Sequence, residues 1–410
     1  MTANPSVEPN LMDPGLIIDP YGGYGRLRED APVLRGRAAD GSPVWYVTRQ
    51  EDVRTVLGDR RFVNNAASVP GVEVDNARDR ELEMIGVPRA LTGYFTNSIL
   101  DADGADHTRL RKLVARAFTV RRVAELRPRV EAITEALLDG LAAHVDLIEA
   151  FAYPLPITVI CELVGVPEAD RPAWRKWSNA LASMNPQTVP GTVRDMVDHV
   201  HDLVRRRRAD PGDDLLSGLV HAQDEADDRL SDTELVTMVF TLVHAGHQTT
   251  AHLIGNGALA LLTHPDQLDL LRADPTWWPA AVHELMRWCG PVHLAMLRYA
   301  AVDVEVGGVL IRAGNAVQAV LVSANFDPRE YHDPDRLDVT RRPSGRGEGH
   351  VGFGHGVHYC LGAALARQEA KVALRALFDR FPGLALAVDE PAWVQIPGLR
   401  LMAELPVRLR

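Results

Sequence analysis

The run of residues 235–264 constrains the fold of this chain more than any other feature. It contains no Asp, Glu, Lys or Arg, and its apolar residues recur at every third or fourth position, which predicts one long helix. Its length alone would suit a membrane span. Its centre, HAGHQTTAH, carries three histidines, a glutamine and two threonines, and such side chains are costly in a bilayer. The run therefore predicts a helix buried inside a large protein.

Composition narrows the class of protein. With 410 residues, of which 46% are hydrophobic and 24% charged, the chain has a globular profile and can bury a large cofactor. A net charge of −11 argues against a nucleic-acid binder, because such binding needs a basic face. The arginine run at 205–208 precedes ADPGDD, which favours a solvated helix end, with a docking patch as the alternative.

The cysteines and the N-terminus indicate a cellular compartment. Three cysteines in a chain of this size cannot build a disulfide framework, and so sparse a count suits a reducing compartment. The N-terminal residues lack a basic region followed by an apolar core, so the sequence predicts neither a secretory signal nor a membrane anchor. We expect a cytoplasmic protein.

The order of sequence patterns predicts a mainly α (α+β) chain with a single domain over 1–410. We expect a β-rich part at about 1–100 and a helix-rich remainder. SPVWYVTR (42–49) alternates like a strand, QEDVRTVLGD (50–59) has helical spacing, and amphipathic helices extend from 106 to 290. Strand patterns return in RYAAVDVEVGG and NAVQAVLVSAN, with Gly307 and Gly308 as a turn, and the tail resembles a hairpin.

Cys360 lies in HVGFGHGVHYCLGAALAR (350–367), just before a helical pattern. A lone cysteine is most often inert and buried, but it can also act as a nucleophile, a zinc ligand or an axial ligand of a metal cofactor. Zinc would depend on His355 and His358 alone. A nucleophile leaves the alternating glycines unexplained.

The glycines around Cys360 suggest a flat ligand. Gly352, Gly354 and Gly356 have no Cβ and would let the backbone pass close beneath a planar object, with Phe353 against it. Gly362 allows the same approach at the helix start, where N–H groups can stabilise a negative sulfur. A planar macrocycle with a thiolate-held metal fits this pattern.

The segment FGHGVHYCLG (353–362) resembles the haem-binding loop of the cytochrome P-450 monooxygenases, F-x-x-G-x-x-x-C-x-G. Further motifs in the family's order extend the resemblance over most of the chain. It implies the cytochrome P-450 fold, a helical bundle with small β-sheets. It also implies haem b (iron protoporphyrin IX) between the long distal helix and the helix following Cys360, with Cys360 as the iron ligand.

Other motifs carry the resemblance to residues that would hold the haem and its loop. ELMR supplies Glu284 and Arg287, the family's buried structural pair, with Arg336 or Arg341 as a partner for the glutamate. The two haem propionates need converging cationic donors, because burying unpaired carboxylates is costly. The residues implied to bind the cofactor are His107 and Arg111 in HTRLR, Arg298 in LRYA, His358, Phe353, Gly354 and Gly362.

AGHQTT (245–250) resembles the signature of the family's oxygen-binding helix, A-G-x-(D/E)-T-T. Ala245 and Thr249 are four residues apart and share a helix face. The resemblance implies that Ala245 leaves room for dioxygen and that the Thr249 hydroxyl donates a hydrogen bond and positions a water. Gln248 replaces the usual acid, and an amide cannot shuttle protons as a carboxylate does. Protons would then follow a water relay oriented by Gln248 or another route.

The resemblance implies a monooxygenase that hydroxylates or epoxidises its substrate with O2. We expect a monomer that receives electrons from NAD(P)H through a separate ferredoxin and ferredoxin reductase. The ferredoxin would dock on the thiolate side, where Arg109, Arg116, Arg367 and Lys371 could face an acidic partner.

The variable parts of the family would bind a bulky lipophilic substrate. These are the loop at 64–98 and a predicted substrate pocket of Thr241, His244, Val292, Leu294, Ala295 and Ile396. Arginine far outnumbers lysine, which suggests a high-GC bacterium and the tailoring of a secondary metabolite such as a polyketide or macrolide. The alternatives are a steroid or fatty-acid hydroxylase, a peroxide-driven peroxygenase and a non-catalytic haem sensor or carrier.

Overall fold

The computed structural model describes residues 8–225, 230–343 and 347–409. The α-helices are α1 (Pro14–Ile18), α2 (Pro20–Asp30), α3 (Gln50–Gly58), α4 (Ala77–Met84), α5 (Gly93–Thr96), α6 (Gly104–Ala115), α7 (Val120–Asp139), α8 (Pro154–Val164), α9 (Arg171–Ala182), α10 (Val189–Ala209), α11 (Leu215–Glu225), α12 (Asp232–Thr263), α13 (Pro265–Ala273), α14 (Trp278–Cys289), α15 (Leu321–Asn325) and α16 (Ala363–Arg380). The strands are β1 (Val33–Arg37), β2 (Pro43–Val47), β3 (Phe62–Val63), β4 (His144–Asp146), β5 (Arg298–Ala300), β6 (Val304–Val306), β7 (Val309–Ile311), β8 (Ala316–Ala319), β9 (Ala385–Leu386), β10 (Trp393–Val394), β11 (Leu401–Met402) and β12 (Pro406–Arg408).

The uncharged run forms α12, which confirms the prediction of a long buried helix. A capping box starts it: Ser231 Oγ accepts from the Glu234 N–H at 3.1 Å, and Glu234 Oε2 accepts from the Ser231 N–H at 2.7 Å. The helix ends at Thr263, before Pro265. Among the described residues, no helix is both long and apolar enough to cross a membrane.

Two large apolar clusters meet along α12. Its N-terminal half packs with side chains of α6, α8, α10 and α11. Its C-terminal half packs with side chains of α7, α8, α14 and α16. The middle of the helix, with the small residues Ala245 and Gly246, lies where these two clusters meet, and a cavity opens there.

The main sheet has the order β1-β2-β8-β5-β3, in which only β2 and β8 are parallel. The predicted strand at 42–49 is β2, and Gly307 and Gly308 form the expected turn between β6 and β7, with φ of +54° and +78°. NAVQAVLVSAN is strand only in its first part. After Ala319 the chain turns into α15, whose five residues are all buried.

The prediction of a β-rich part at 1–100 is wrong in its proportions. The described residues of this region form α1 to α5 but only three strands, β1 to β3. The strands that complete their sheet, β5 and β8, come more than 200 residues later. The chain between β3 and β5 is mostly helical. The hairpin-like tail is confirmed by the β10–β11 pair, while β12 instead joins β4 and β9.

Candidate active site

A largely apolar cavity lies between the middle of α12 and the loop that carries Cys360. Side chains from α6, α12, β5, the 291–296 segment and the start of α16 surround it. It brings together most of the residues predicted for the site: His107, Arg111, Thr241, Ala245, Thr249, Val292, Ala295, Arg298, Phe353, Gly354, His358, Cys360 and Gly362.

The Cys360 sulfur faces this cavity. The side chain of Cys360 is exposed at the cavity surface. Protein atoms nevertheless lie close around the thiol, and this burial raises its pKa. The Gly362 N–H and the Arg111 guanidinium act in the opposite direction and favour the anion. A hydrogen bond of 2.8 Å from the Cys360 N–H to the Phe353 carbonyl closes the loop. The sulfur is therefore placed to become a thiolate once a positive centre occupies the cavity.

The glycines of the Cys360 loop differ in their surroundings. Some allow another part of the protein to pack close to the backbone, and at least one borders open space, where a flat ligand could approach. A Cβ on Gly352 would approach Met286 Cγ to 2.6 Å, and one on Gly356 would approach the Leu57 carbonyl oxygen to 2.4 Å. These two glycines permit close packing of protein on protein, not of protein on a flat ligand. A Cβ on Gly362 would meet no atom within 4 Å, so this position leaves the cavity open, as predicted.

Four basic side chains converge on one end of the cavity. The rings of His107 and His358 lie with their centroids 4.2 Å apart. Arg111 Nη2 donates to the Tyr359 carbonyl at 2.7 Å, and Arg298 Nη1 donates to the Val56 carbonyl at 3.2 Å. His107 Nε2 and Arg298 Nε are buried and have no hydrogen-bond partner among the described residues.

The electrostatics of these four groups favour binding of an anionic group at this end of the cavity. Burial lowers the pKa of Arg298 to about 10. Burial and the neighbouring His107 and Arg298 lower the pKa of His358 to about 3. Buried donors without acceptors are costly, so the arrangement fits a ligand that brings carboxylates to this end of the cavity.

On the opposite wall, Ala245 and Thr249 share the predicted helix face. Thr249 Oγ1 donates to the Ala245 carbonyl at 2.8 Å, and both residues line the cavity. Gln248 is half-buried and is not among the lining residues. The structure thus brings the hydroxyl of Thr249, but not the amide of Gln248, to the cavity wall.

Glu284 and Arg287 form the expected buried pair in α14. Two hydrogen bonds of 2.7 Å join their side chains, which are 1% and 2% exposed. Arg341 Nε also donates to Glu284, at 3.2 Å, while Arg336 takes part only through its carbonyl, which accepts from Arg287. Of the two predicted partners, Arg341 is the one whose side chain pairs with the glutamate.

Comparison with known proteins agrees with this geometry. The family model "Cytochrome P450" matches residues 277–392. The chain is 43% identical to 6-deoxyerythronolide B hydroxylase of Saccharopolyspora erythraea, with 98% of each chain covered. It belongs to the cytochrome P450 family.

Two further relatives extend the comparison. The mycinamicin IV hydroxylase/epoxidase of Micromonospora griseorubida is 42% identical, with 94% of each chain covered. The solved structure of the tirandamycin C-bound P450 monooxygenase TamI superposes with a TM-score of 0.85 at 39% identity, covering 98% of this chain and 100% of that one. The P450 fold expected from the resemblance is confirmed.

The haem implied by this family fits the residues present. The Cys360 sulfur faces the cavity, and Gly362 leaves the space above the loop open. His107 Nε2 and Arg298 Nε have no hydrogen-bond partner among the described residues and would be available to donate to the haem propionates.

Three residues predicted for the substrate pocket do not line the cavity of this P450. Leu294 forms a β-bridge with Val320, and its side chain packs against the cluster that contains Tyr24 and Phe326. Ile396 lies in the turn between β10 and β11, with its N–H bonded to the Val394 carbonyl. The His244 side chain is exposed, but protein atoms close to its ring lower its pKa. The centroid of its ring lies 6.3 Å from that of the His247 ring.

Sequence reasoning gave no specific role to several polar residues that line the cavity, among them Glu369 and Asn64. Glu369, in α16, is fully buried, its Oε2 has no hydrogen-bond partner among the described residues, and burial raises its pKa to about 8. A usable signal existed, since Glu369 lies four residues after Leu365 and so shares its apolar face. Asn64 also lines the cavity, and its side chain donates to the Leu100 carbonyl at 2.6 Å. Asn64 begins the 64–98 loop that was expected to contact the substrate, but no local pattern marks the residue itself.

The four cations predicted for ferredoxin docking differ in availability. Arg109 forms an ion pair with Glu234, and Arg367 forms one with Glu348. Arg116 is exposed and Lys371 is half-buried. The two paired arginines are poor candidates for contact with an acidic partner.

Proposed function

We propose that this P450 is a haem-thiolate monooxygenase that hydroxylates or epoxidises a bulky lipophilic secondary metabolite of the polyketide or macrolide type. The single observation that carries the proposal is that the Cys360 sulfur and the Ala245–Thr249 face of α12 open into one apolar cavity. Relatives named for 6-deoxyerythronolide B, mycinamicin IV and tirandamycin C support the substrate class.

The chain's own residues supply binding and orientation. Cys360 would hold the iron, and His107, Arg111, Arg298 and His358 would hold the propionates; when bound, the haem supplies the activation of O2. Ala245, with its small side chain, leaves room in the cavity beside Thr249. Thr249, whose hydroxyl now bonds to Ala245, can redirect its proton into the cavity and hold a water there. Thr241, Val292 and Ala295 contact the substrate.

Electrons are proposed to come from NAD(P)H through a ferredoxin and its reductase. We further propose that the 410 residues act as one catalytic domain, as a monomer in the cytoplasm. The exposed Arg116 and the half-buried Lys371 are the best remaining candidates to attract an acidic ferredoxin.

The experiment has two stages. Carbon monoxide added to the dithionite-reduced protein should give the strongly red-shifted Soret band of thiolate-ligated haem, and Cys360→His should abolish that shift. Macrolactones, steroids and fatty acids are then tested for conversion of the ferric iron from low to high spin and for oxygenated products. Macrolactones should give both. An unshifted Soret band would refute thiolate ligation, and turnover of fatty acids or steroids alone would refute the substrate class.

The alternative activities are separated by the oxidant. Turnover with ferredoxin, reductase and NAD(P)H should exceed turnover with hydrogen peroxide, because the Thr249 side chain lines the cavity wall opposite the Cys360 loop. Turnover with peroxide only would identify a peroxygenase. A second protein ligand on the iron, with no spin shift for any ligand, would identify a sensor or carrier.

A further inference from the structure

Two histidines and a glutamate meet on the face of the Cys360 loop that is remote from the cavity. His283 lies in α14, and Glu348 and His350 lie just before the loop. One ligand atom from each residue lies within 4.8 Å of the others. The cytochrome P450 activity uses none of these three side chains.

The two imidazoles already have the spacing of metal ligands. His283 Nδ1 and His350 Nε2 are joined by a hydrogen bond of 3.2 Å, which a shared metal ion would replace. Two nitrogens bound at about 2.0–2.1 Å to one zinc ion, at a near-tetrahedral angle, lie about 3.2–3.4 Å apart. The Gly352 N–H donates to His350 Nδ1 at 3.2 Å, so Nε2 carries the proton of the neutral ring. Zinc at Nε2 would move that proton to Nδ1 at the cost of the Gly352 contact.

Glu348 supplies an oxygen that the protein leaves unused. Its Oε1 accepts from the Tyr359 hydroxyl at 2.7 Å and from Arg367. Its Oε2 is buried and has no hydrogen-bond partner among the described residues. A buried carboxylate oxygen without a donor is costly, and a cation bound there would remove that cost.

The site is accessible, and three nearby arginines are paired with carboxylates, whereas Arg342, which also lines the pocket, lies over the Trp277 ring. All three candidate ligands line one pocket of about 290 Å³, which leaves room for water as a fourth ligand. Arg287 and Arg341 are paired with Glu284, and Arg367 is paired with Glu348 itself. The carboxylate is thus fixed by Arg367 in the way that outer-shell partners fix metal ligands.

We propose that His283, Glu348 and His350 form a zinc site that links α14 to the loop holding the haem iron. Two imidazoles and one carboxylate form a donor set that zinc adopts in proteins. The bound ion would fix Tyr359 through Glu348, and Tyr359 directly precedes the iron ligand. The site does not depend on the identity of the oxidised substrate.

The test uses the haem-loaded full chain, without a histidine tag and freed of metal by chelator. Zinc chloride is titrated by calorimetry, and zinc per chain is counted by mass spectrometry after dialysis. We expect one zinc per chain at micromolar affinity or tighter. Glu348→Gln and His283→Gln should each weaken zinc binding at least about tenfold. Loss of an outer-shell partner already weakens metal binding roughly 10–100-fold, and loss of a direct ligand should cost at least the lower end of that range.

The matched control is His332→Gln. His332 lines the same pocket but is 93% exposed and pairs only with Asp333; its removal should leave affinity unchanged. A carbon monoxide spectrum identical to that of the wild type shows that a variant keeps the haem loop. If Glu348→Gln loses haem, His283→Gln tests the site alone. Absence of zinc from the wild type, equal binding by wild type and His283→Gln, or an anomalous zinc peak elsewhere in zinc-soaked crystals would overturn the proposal.

Discussion

Removing the charge of Glu284 tests the view that the buried pair holds the haem loop region together. Glu284→Gln keeps the shape of the side chain but leaves Arg287 charged in a fully buried place. Glu284 accepts two bonds from Arg287, one from Arg341 and one from the Asp338 N–H at 3.0 Å. The substitution therefore affects α14 and the 338–341 segment at once.

The expected loss of stability follows from burial. The two side chains are 1% and 2% exposed, and removing one partner of such a pair costs about 3–5 kcal/mol. Unfolding entropy is about 2.1 cal/mol/K per residue, which for 410 residues converts this loss into a fall of about 3–6 °C in Tm.

Calorimetry at one fixed scan rate measures this fall, with Asp269→Asn as the control. Asp269 and Arg272 have the same acid-to-arginine spacing of three residues in α13, but their side chains are 71% and 38% exposed. An exposed pair contributes about 0–1 kcal/mol, so Tm should change by about 1 °C or less. Equal Tm values for the two variants would refute the reasoning.

Three further substitutions test the cavity. Arg298→Gln removes a charged donor that contributes about 1.5–3 kcal/mol, so transfer of haem to apomyoglobin should be roughly 10–100 times faster; an unchanged rate would contradict the assignment. Thr249→Ala should lower product formed per NAD(P)H at least about tenfold while the substrate still shifts the spin state; unaltered coupling would remove Thr249 from proton delivery. Glu369 has a folded-state pKa raised to about 8, so wild-type stability should fall as pH rises from about 4.5 to about 8, where the unfolded state has lost the proton first. Across that window the Tm of Glu369→Gln should rise relative to wild type, and a constant difference would show that Glu369 is not buried neutral.

Some features of the site could be predicted because they depend on local chain geometry. The spacing of four residues placed Ala245 and Thr249 on one face of α12, and the spacing of three placed Glu284 beside Arg287. The order of residues around Cys360 was enough to predict a thiol facing a ligand cavity. Leu294 could not be placed in this way, since its bridge to Val320 and its packing against Tyr24 and Phe326 involve segments distant in sequence.

The sequence by itself determined the long buried helix, the Cys360 loop and the family, because an uncharged run and a short motif can each be recognised from residues that are close together in the chain. The tertiary structure alone decided what lies across space. It left Glu348 Oε2 without a donor among the described residues, put His283 beside His350, and buried Glu369, which raises the pKa of its carboxyl group to about 8. The physical reason is that the burial and pairing of these side chains depend on segments far apart in the chain. Contacts between such segments cannot be predicted from local sequence patterns.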